Sequence, residues 1–272
     1  MHRGGLSCRD LGKSAVMASA APPQVDGSSL VDDDTPRLSP AALAPGAHDD
    51  DRAHPFHHRG VATLALAVVA AAAAVAVNRW LFPLYSANRD DQVYVAMARV
   101  LERGHATLPA ADWPFRPWAT GLVGDTIVFK YAPPWPALLA VGGLLGSHLI
   151  GLAASAAAAV VAVRALANEV VRDRTTSFVA ALLLVLSPLF LVQSGTYLPY
   201  LFSLALGAGA AVLLLQGVRV GSTARIAIGA ALAGVAVFAR PFDATLLLVP
   251  AGVAALATRQ RACSRRAATA AM

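Results

Sequence analysis

The 272-residue chain reads as an all-α integral membrane protein. About six transmembrane helices are predicted, with a first extracytoplasmic loop that carries interfacial helices. Three observations predict this. Hydrophobic residues make up 57% of the chain and charged residues only 14%, against about 45–50% and about 25% in soluble domains. Mean hydropathy is +0.57, and the apolar excess lies in long runs. Most of the basic residues flank those runs, as orienting charges at membrane ends do. The net charge of +6 and pI near 9.9 are therefore no sign of a nucleic-acid partner. The composition excludes a soluble enzyme, a disordered protein and a disulfide-stapled secreted domain.

Residues 1–59 hold Ser, Pro, Gly and Asp clusters and no sustained apolar period. They predict a disordered cytoplasmic tail. No apolar core of about 7–15 residues precedes a small-residue cleavage site, so this is no secretory signal peptide. The run from His48 to His58 lacks the spacing of a designed metal site, and Cys8 and Cys263 form no CxxC pair. No metal, cofactor or disulfide framework is predicted.

The transmembrane domain is expected over 60–258. Residues 61–77 are uncharged and extend through Trp80, Leu81 and Phe82, about 20 residues and enough to cross a core of about 30 Å. A polar outer loop follows, over 84–134. Within it Gln92–Arg103 predicts a short helix, because Tyr94, Met97, Ala98 and Leu101 share one face. Such a helix can float in the interface with its apolar side down. Trp135–Gly146 is too short to span and reads as interfacial or re-entrant. Further spans are expected at His148–Ala167, Thr176–Val192 and Pro199–Gln216. The stretch Ile226–Ala257 is interrupted by Arg240-Pro241-Phe242-Asp243. It predicts two short spans in a hairpin, with one kinked helix as the alternative. A basic cytoplasmic tail closes the chain at 259–272.

Arginine placement fits this topology. Arg59, then Arg164, Arg172 and Arg174, then Arg219 and Arg225, then Arg259, Arg261, Arg265 and Arg266 fall on one side. The expected location is the plasma membrane, multi-pass, with the N-terminus cytoplasmic and the bilayer as a partner.

Several features could carry chemistry. Asp90-Asp91 opens the loop helix. An Asp there can cap a helix, or a carboxylate at a membrane-facing cleft can act as general base on a hydroxyl. Arg240 interrupts an apolar run, where an ionisable residue is functional by default; it can contact a phosphate or pair with Asp243. Lys130 can snorkel or bind a ligand. Tyr131 and Trp135 suit interface anchors, or platforms for a sugar.

The string Asp90-Asp91-Gln92-Val93-Tyr94, with Ala98, Leu101 and Gly104, resembles the first-loop signature of the C-class integral-membrane glycosyltransferases. These include protein mannosyltransferases and bacterial aminoarabinose transferases. Lys130-Tyr131-Ala132-Pro133-Pro134-Trp135-Pro136 resembles the aromatic-Pro-Pro element of that family. Gly229, Gly234 and Arg240-Pro241 resemble its glycine-spaced helix ending in a basic residue and Pro. The resemblance runs from about 60 to 258. It departs in having Asp91 where the family usually has Glu, and in length, which matches the N-terminal part only.

The resemblance implies a polyprenyl-phosphate sugar as donor and a hydroxyl on a glycan, lipid or protein as acceptor, at the outer face. Asp90 would be the base, and Asp91 would orient the acceptor or a bound cation. Arg240, Lys130, Arg89 and Arg116 are candidates for the lipid phosphate, and Tyr94 and Tyr131 for substrate contact. A transporter and a truncated, non-catalytic membrane subunit are the competing readings.

Overall fold

A computed structural model of the chain describes residues 56–112 and 118–270. The predicted N-terminal tail falls almost wholly outside these residues, and so does Arg116. Two compact units divide the chain. Met1–His54 with Cys263–Met272 contains, of the described structure, only the last turns of the final helix. Pro55–Ala262 contains everything below.

This larger unit is mostly helical. Three helices are long and apolar enough to cross a membrane: α1 (Phe56–Leu81, through its part Gly60–Leu81), α4 (Leu149–Val171) and α7 (Tyr200–Val220). Their mean hydropathies are 2.4, 2.1 and 2.0. The pair α5 (Arg174–Leu186) and α6 (Pro188–Ser194) makes a fourth if taken as one span. The sequence predicts one span here, over about Thr176–Val192, and the structure bends it by 63° between the two helices. The cause is local. Proline removes one helical N–H and drives the preceding residue out of the α region, and Ser187 is extended at φ −66°, ψ 126°.

Small residues set the packing. Leu66, Ala70 and Ala74 of α1 meet Ala156, Ala159 and Val160 of α4, with Ala181 and Val185 of α5 and Phe190 of α6 closing the cluster. Helix α8 (Thr223–Ala239) runs antiparallel to α7. A Cβ on Gly217 would crowd Ile226, and one on Gly229 would crowd Leu213 and Leu214, so the backbones approach closely only because both positions are glycine. At the end away from the long loop, Arg219 of α7 grips Glu169 of α4 through two contacts, at 2.6 and 3.1 Å.

Only Arg240 separates the end of α8 from the start of helix α9 (Pro241–Ala270). The Arg240 guanidinium sits over Tyr200 at the start of α7, and the Leu247 side chain sits against Gly207. Both contacts advance by seven residues, about 10 Å of helix. The first two turns of α9 therefore run back beside α7, in the direction opposite to α8. Each apolar arm is short: α8 has 17 residues, and the apolar part of α9 is Pro241–Ala257.

The long loop departs from its helical expectation. A three-stranded antiparallel sheet of order β1-β3-β2 forms from β1 (Leu108–Pro109), β2 (Thr120–Val123) and β3 (Thr126–Phe129). The β2–β3 hairpin turns on Gly124-Asp125, where Gly124 has φ +57°, a conformation natural to glycine. Such short strands leave too few alternations to read from sequence.

Helix α2 (Asp90–Glu102) exists as expected, with a shifted start. Its apolar face does not look out. Tyr94 and Ala98 pack on Trp135, Leu139 and Ala140 of α3 (Pro134–Leu144) and on Leu152 of α4. The floating-helix expectation is corrected: the α3 segment supplies the apolar partner that the interface was expected to supply. At the far end, Glu102 of α2 meets His148, just before α4, at 2.5 Å. Gly143 leaves the room, because a Cβ there would overlap both side chains.

Candidate functional site

The loop-side ends of α1, α2, α3, α7 and α8 meet around the connector 195–199. Asn78, buried in the last turns of α1, donates from Nδ2 to the Gly195 carbonyl at 2.7 Å. Trp135 donates from Nε1 to the Tyr197 carbonyl at 2.8 Å. Its ring is 1% exposed and packs against Phe202, with centroids 5.4 Å apart, so Trp135 is core and no interface anchor.

The two acids divide by environment. Neither is the helix cap: Arg89 holds that position without a side-chain cap. The Asp90 amide donates instead to Asn88 Oδ1 at 3.0 Å. Both acids stand in the first turn of α2, where the helix dipole favours negative charge. Asp91 is fully buried. Its Oδ2 accepts the Ser86 amide at 3.0 Å, while Oδ1 has no hydrogen-bond partner among the described residues. Burial pushes its pKa above the ordinary carboxylate value, opposed by the Ser86 hydrogen bonds and reinforced by the Asp90 charge. The Tyr197 backbone adds only a weak lowering.

Asp90 is half-exposed and faces tyrosines. Tyr131 stacks on Tyr94 with centroids 4.6 Å apart and planes 29° apart. Burial raises the Tyr131 pKa most, followed by a hydrogen bond to Asp90 and that carboxylate's charge. Burial likewise pushes Tyr94 up to about 12, with Arg240 acting in the opposite sense. Both phenols therefore stay protonated at neutral pH and present O–H donors.

Arg240 ends α8 outside the helical conformation, at φ −152° and ψ 89°, and Pro241 starts the next helix. Its Nε donates to Asp243 Oδ2, and its guanidinium lies 4.3 Å from the Tyr200 ring centroid. The local pairing read from sequence is present, and so is a ring contact that the sequence did not suggest. Arg240, Asp90, Asp91 and Tyr200 all act electrostatically on Tyr94.

Of the eight residues singled out by sequence, Asp90, Asp91, Tyr94, Tyr131 and Arg240 thus share one neighbourhood. Lys130 is exposed at its rim, its amine 5.7 Å from the Tyr131 ring centroid. Arg89 is exposed, and Arg116 lies outside the described residues. Sequence reasoning missed Asn78, Ser86, Tyr197 and Tyr200. Asn78 carried a signal, as an amide near the end of an otherwise apolar span. Tyr200 carried none, since its role depends on a helix forty residues away.

Beside Tyr200 an apolar groove of about 400 Å³ runs along the bent α5–α6 pair and α7, lined by Leu184, Leu189, Phe190, Leu201 and Leu204, with Gln193 as a polar member. No group of three or more His, Cys, Asp or Glu residues that could hold a metal occurs among the described residues. Compared with protein-family models, curated proteins and solved structures, the chain matches none.

Proposed function

We propose that the chain is a membrane glycosyltransferase that moves a sugar from a polyprenyl-phosphate donor to a hydroxyl acceptor on the outer face of the plasma membrane. In this reading the N-terminus is cytoplasmic. The segments α1, α4, α5–α6, α7, α8 and α9 are six passes, and the sheet-bearing loop lies outside. The observation that carries it is the pairing of opposite charges in one cluster. A half-exposed carboxylate, Asp90, and a ring-supported guanidinium, Arg240, flank the same stacked tyrosines.

The chemistry uses each charge once. Asp90 accepts the proton of the acceptor hydroxyl as its oxygen bonds to the anomeric carbon. The bond from that carbon to the phosphate oxygen breaks, and its electron pair leaves with the polyprenyl phosphate. Arg240 stabilises that charge as a cation already held in place by Tyr200. Tyr94 offers a neutral donor to sugar hydroxyls, while Tyr131, whose O–H donates to Asp90, offers them its oxygen lone pairs. The groove beside Tyr200 suits the isoprenoid chain. Asp91, sealed from solvent, acts by holding Ser86 and the start of α2 and so orients the acceptor side indirectly.

Asp90→Asn tests this most directly, since it keeps size and removes the base. With the purified chain in nanodiscs and a polyprenyl-phosphate hexose, release of polyprenyl phosphate is expected to fall about 10²–10⁴-fold. An unchanged rate in a folded variant overturns the reading. The 63° break between α5 and α6 favours a second reading, a transporter, because broken helices bind substrate in such proteins. Sugar or lipid uptake into proteoliposomes that is unaffected by Asp90→Asn would select it.

A further inference from the structure

We propose that Asp243 is an internal counter-anion that competes with the ligand phosphate for Arg240, weakening binding and easing release of the phosphate product. The inference rests on the glycosyltransferase reading above, and it adds a residue to which the sequence assigned only a local pairing.

The geometry leaves Arg240 half-committed. A planar guanidinium has two edges with paired N–H groups, a third edge and two faces. Tyr200 covers one face at 4.3 Å. Asp243 takes the Nε position, and no hydrogen bond from the terminal amino groups to Asp243 accompanies it. Among the described residues the two terminal amino groups make no hydrogen bond, so their fork is open to two phosphate oxygens, the bidentate geometry guanidinium prefers. Both side chains remain partly accessible, at 27% and 29%.

The charge inventory makes Asp243 costly for a phosphate. Asp90, Asp91 and Asp243 stand in or beside the cluster, against Arg240 and, at the rim, Lys130. An arriving phosphate adds negative charge next to the Asp243 carboxylate. Asp243 also lies in the first turn of α9, where the helix dipole stabilises it without any ligand. A mere prop for Arg240 would make its loss weaken phosphate binding. A competing anion makes its loss strengthen binding. The two roles differ in sign.

The test measures binding of a polyprenyl monophosphate to the full chain in nanodiscs of neutral lipid, with the corresponding polyprenol and inorganic phosphate as comparison probes. Asp243→Asn is expected to tighten the monophosphate by about tenfold, the effect of removing one neighbouring like charge at partial screening. Binding of the polyprenol is expected to stay unchanged, and inorganic phosphate to shift in the same direction as the lipid. Asp243→Glu, which restores the charge, is expected to bind as the wild type does. Asp243→Ser removes the charge without an amide and serves if the Asn variant folds poorly. Equal or weaker monophosphate binding by both neutral variants overturns the inference while leaving the phosphate role of Arg240 intact. If Arg240→Gln binds the monophosphate as well as wild type, or wild type binds none, the phosphate reading itself falls.

Discussion

Two proline breaks in this chain use one backbone device for two ends. At Ser187–Pro188 an apolar pair bends by 63°. At Arg240–Pro241 the chain folds back along α7. Proline explains both interruptions. The residue before it, and what that residue meets, explains the difference. Ser187 is small and neutral and lines an apolar groove. Arg240 meets a ring and a carboxylate, and helix ends from the long loop assemble around it. A break alone makes a groove; a break with a supported charge makes a candidate site.

The comparison breaks first at the charge. Arg240→Gln is expected to lower transfer from a polyprenyl-phosphate sugar by about 10²-fold or more, as losing one preorganised stabiliser of developing charge does. Ser187→Ala is expected to stay within about threefold of wild type, since no side-chain hydrogen bond of Ser187 caps α6. Equal losses in the two variants would erase the distinction between the breaks.

The connector between them is the next weak point. A Cβ on Gly195 would overlap the Val77 side chain and reach the Asn78 amide at 2.9 Å. Gly195→Ala is expected to cost about 1–3 kcal/mol from overpacking, seen as a lower thermal midpoint in detergent. A midpoint unchanged from wild type would show that α1 yields freely there.

The smallest expected effect is a slope with pH. The Asp91 pKa is raised in the folded state, so the folded chain holds that proton more tightly than the unfolded chain. Stability from this group is full below the ordinary carboxylate pKa of 3.8 and is lost as pH rises through the folded value. Thermal midpoints measured across that window should fall with rising pH in wild type and flatten in Asp91→Asn. An identical slope in both would place the titration elsewhere.

Much of this was legible in the sequence, for identifiable reasons. The long apolar runs gave α1, α4 and α7 within a few residues, because nothing inside them competes with helix. The return of the chain at Arg240 was legible from the charge and proline together. The bend at Pro188 was hidden, because Leu-Ser-Pro-Leu keeps the hydropathy of a span while breaking its geometry. The sheet was hidden because four-residue strands show no usable period. The inward face of α2 was read with the right residues and the wrong partner: hydrophobic periodicity reports that a face is covered and is silent on whether lipid or protein covers it. The pairing of Asp243 with Arg240 was legible from their spacing, whereas Tyr200 gained its meaning only from the fold that sets it over that guanidinium.

The Glu102–His148 contact over Gly143 has a mechanical meaning. With Asp91 fastened at one end of α2 and Glu102 at the other, that helix is a beam with two bolts. It can transmit force along its length but has little freedom to swing. Any clamping motion around a substrate would then have to come from the segment 82–88 that precedes it or from the hairpin of strands that follows it. A spin label on Arg99 should stay nearly as still with substrate as without.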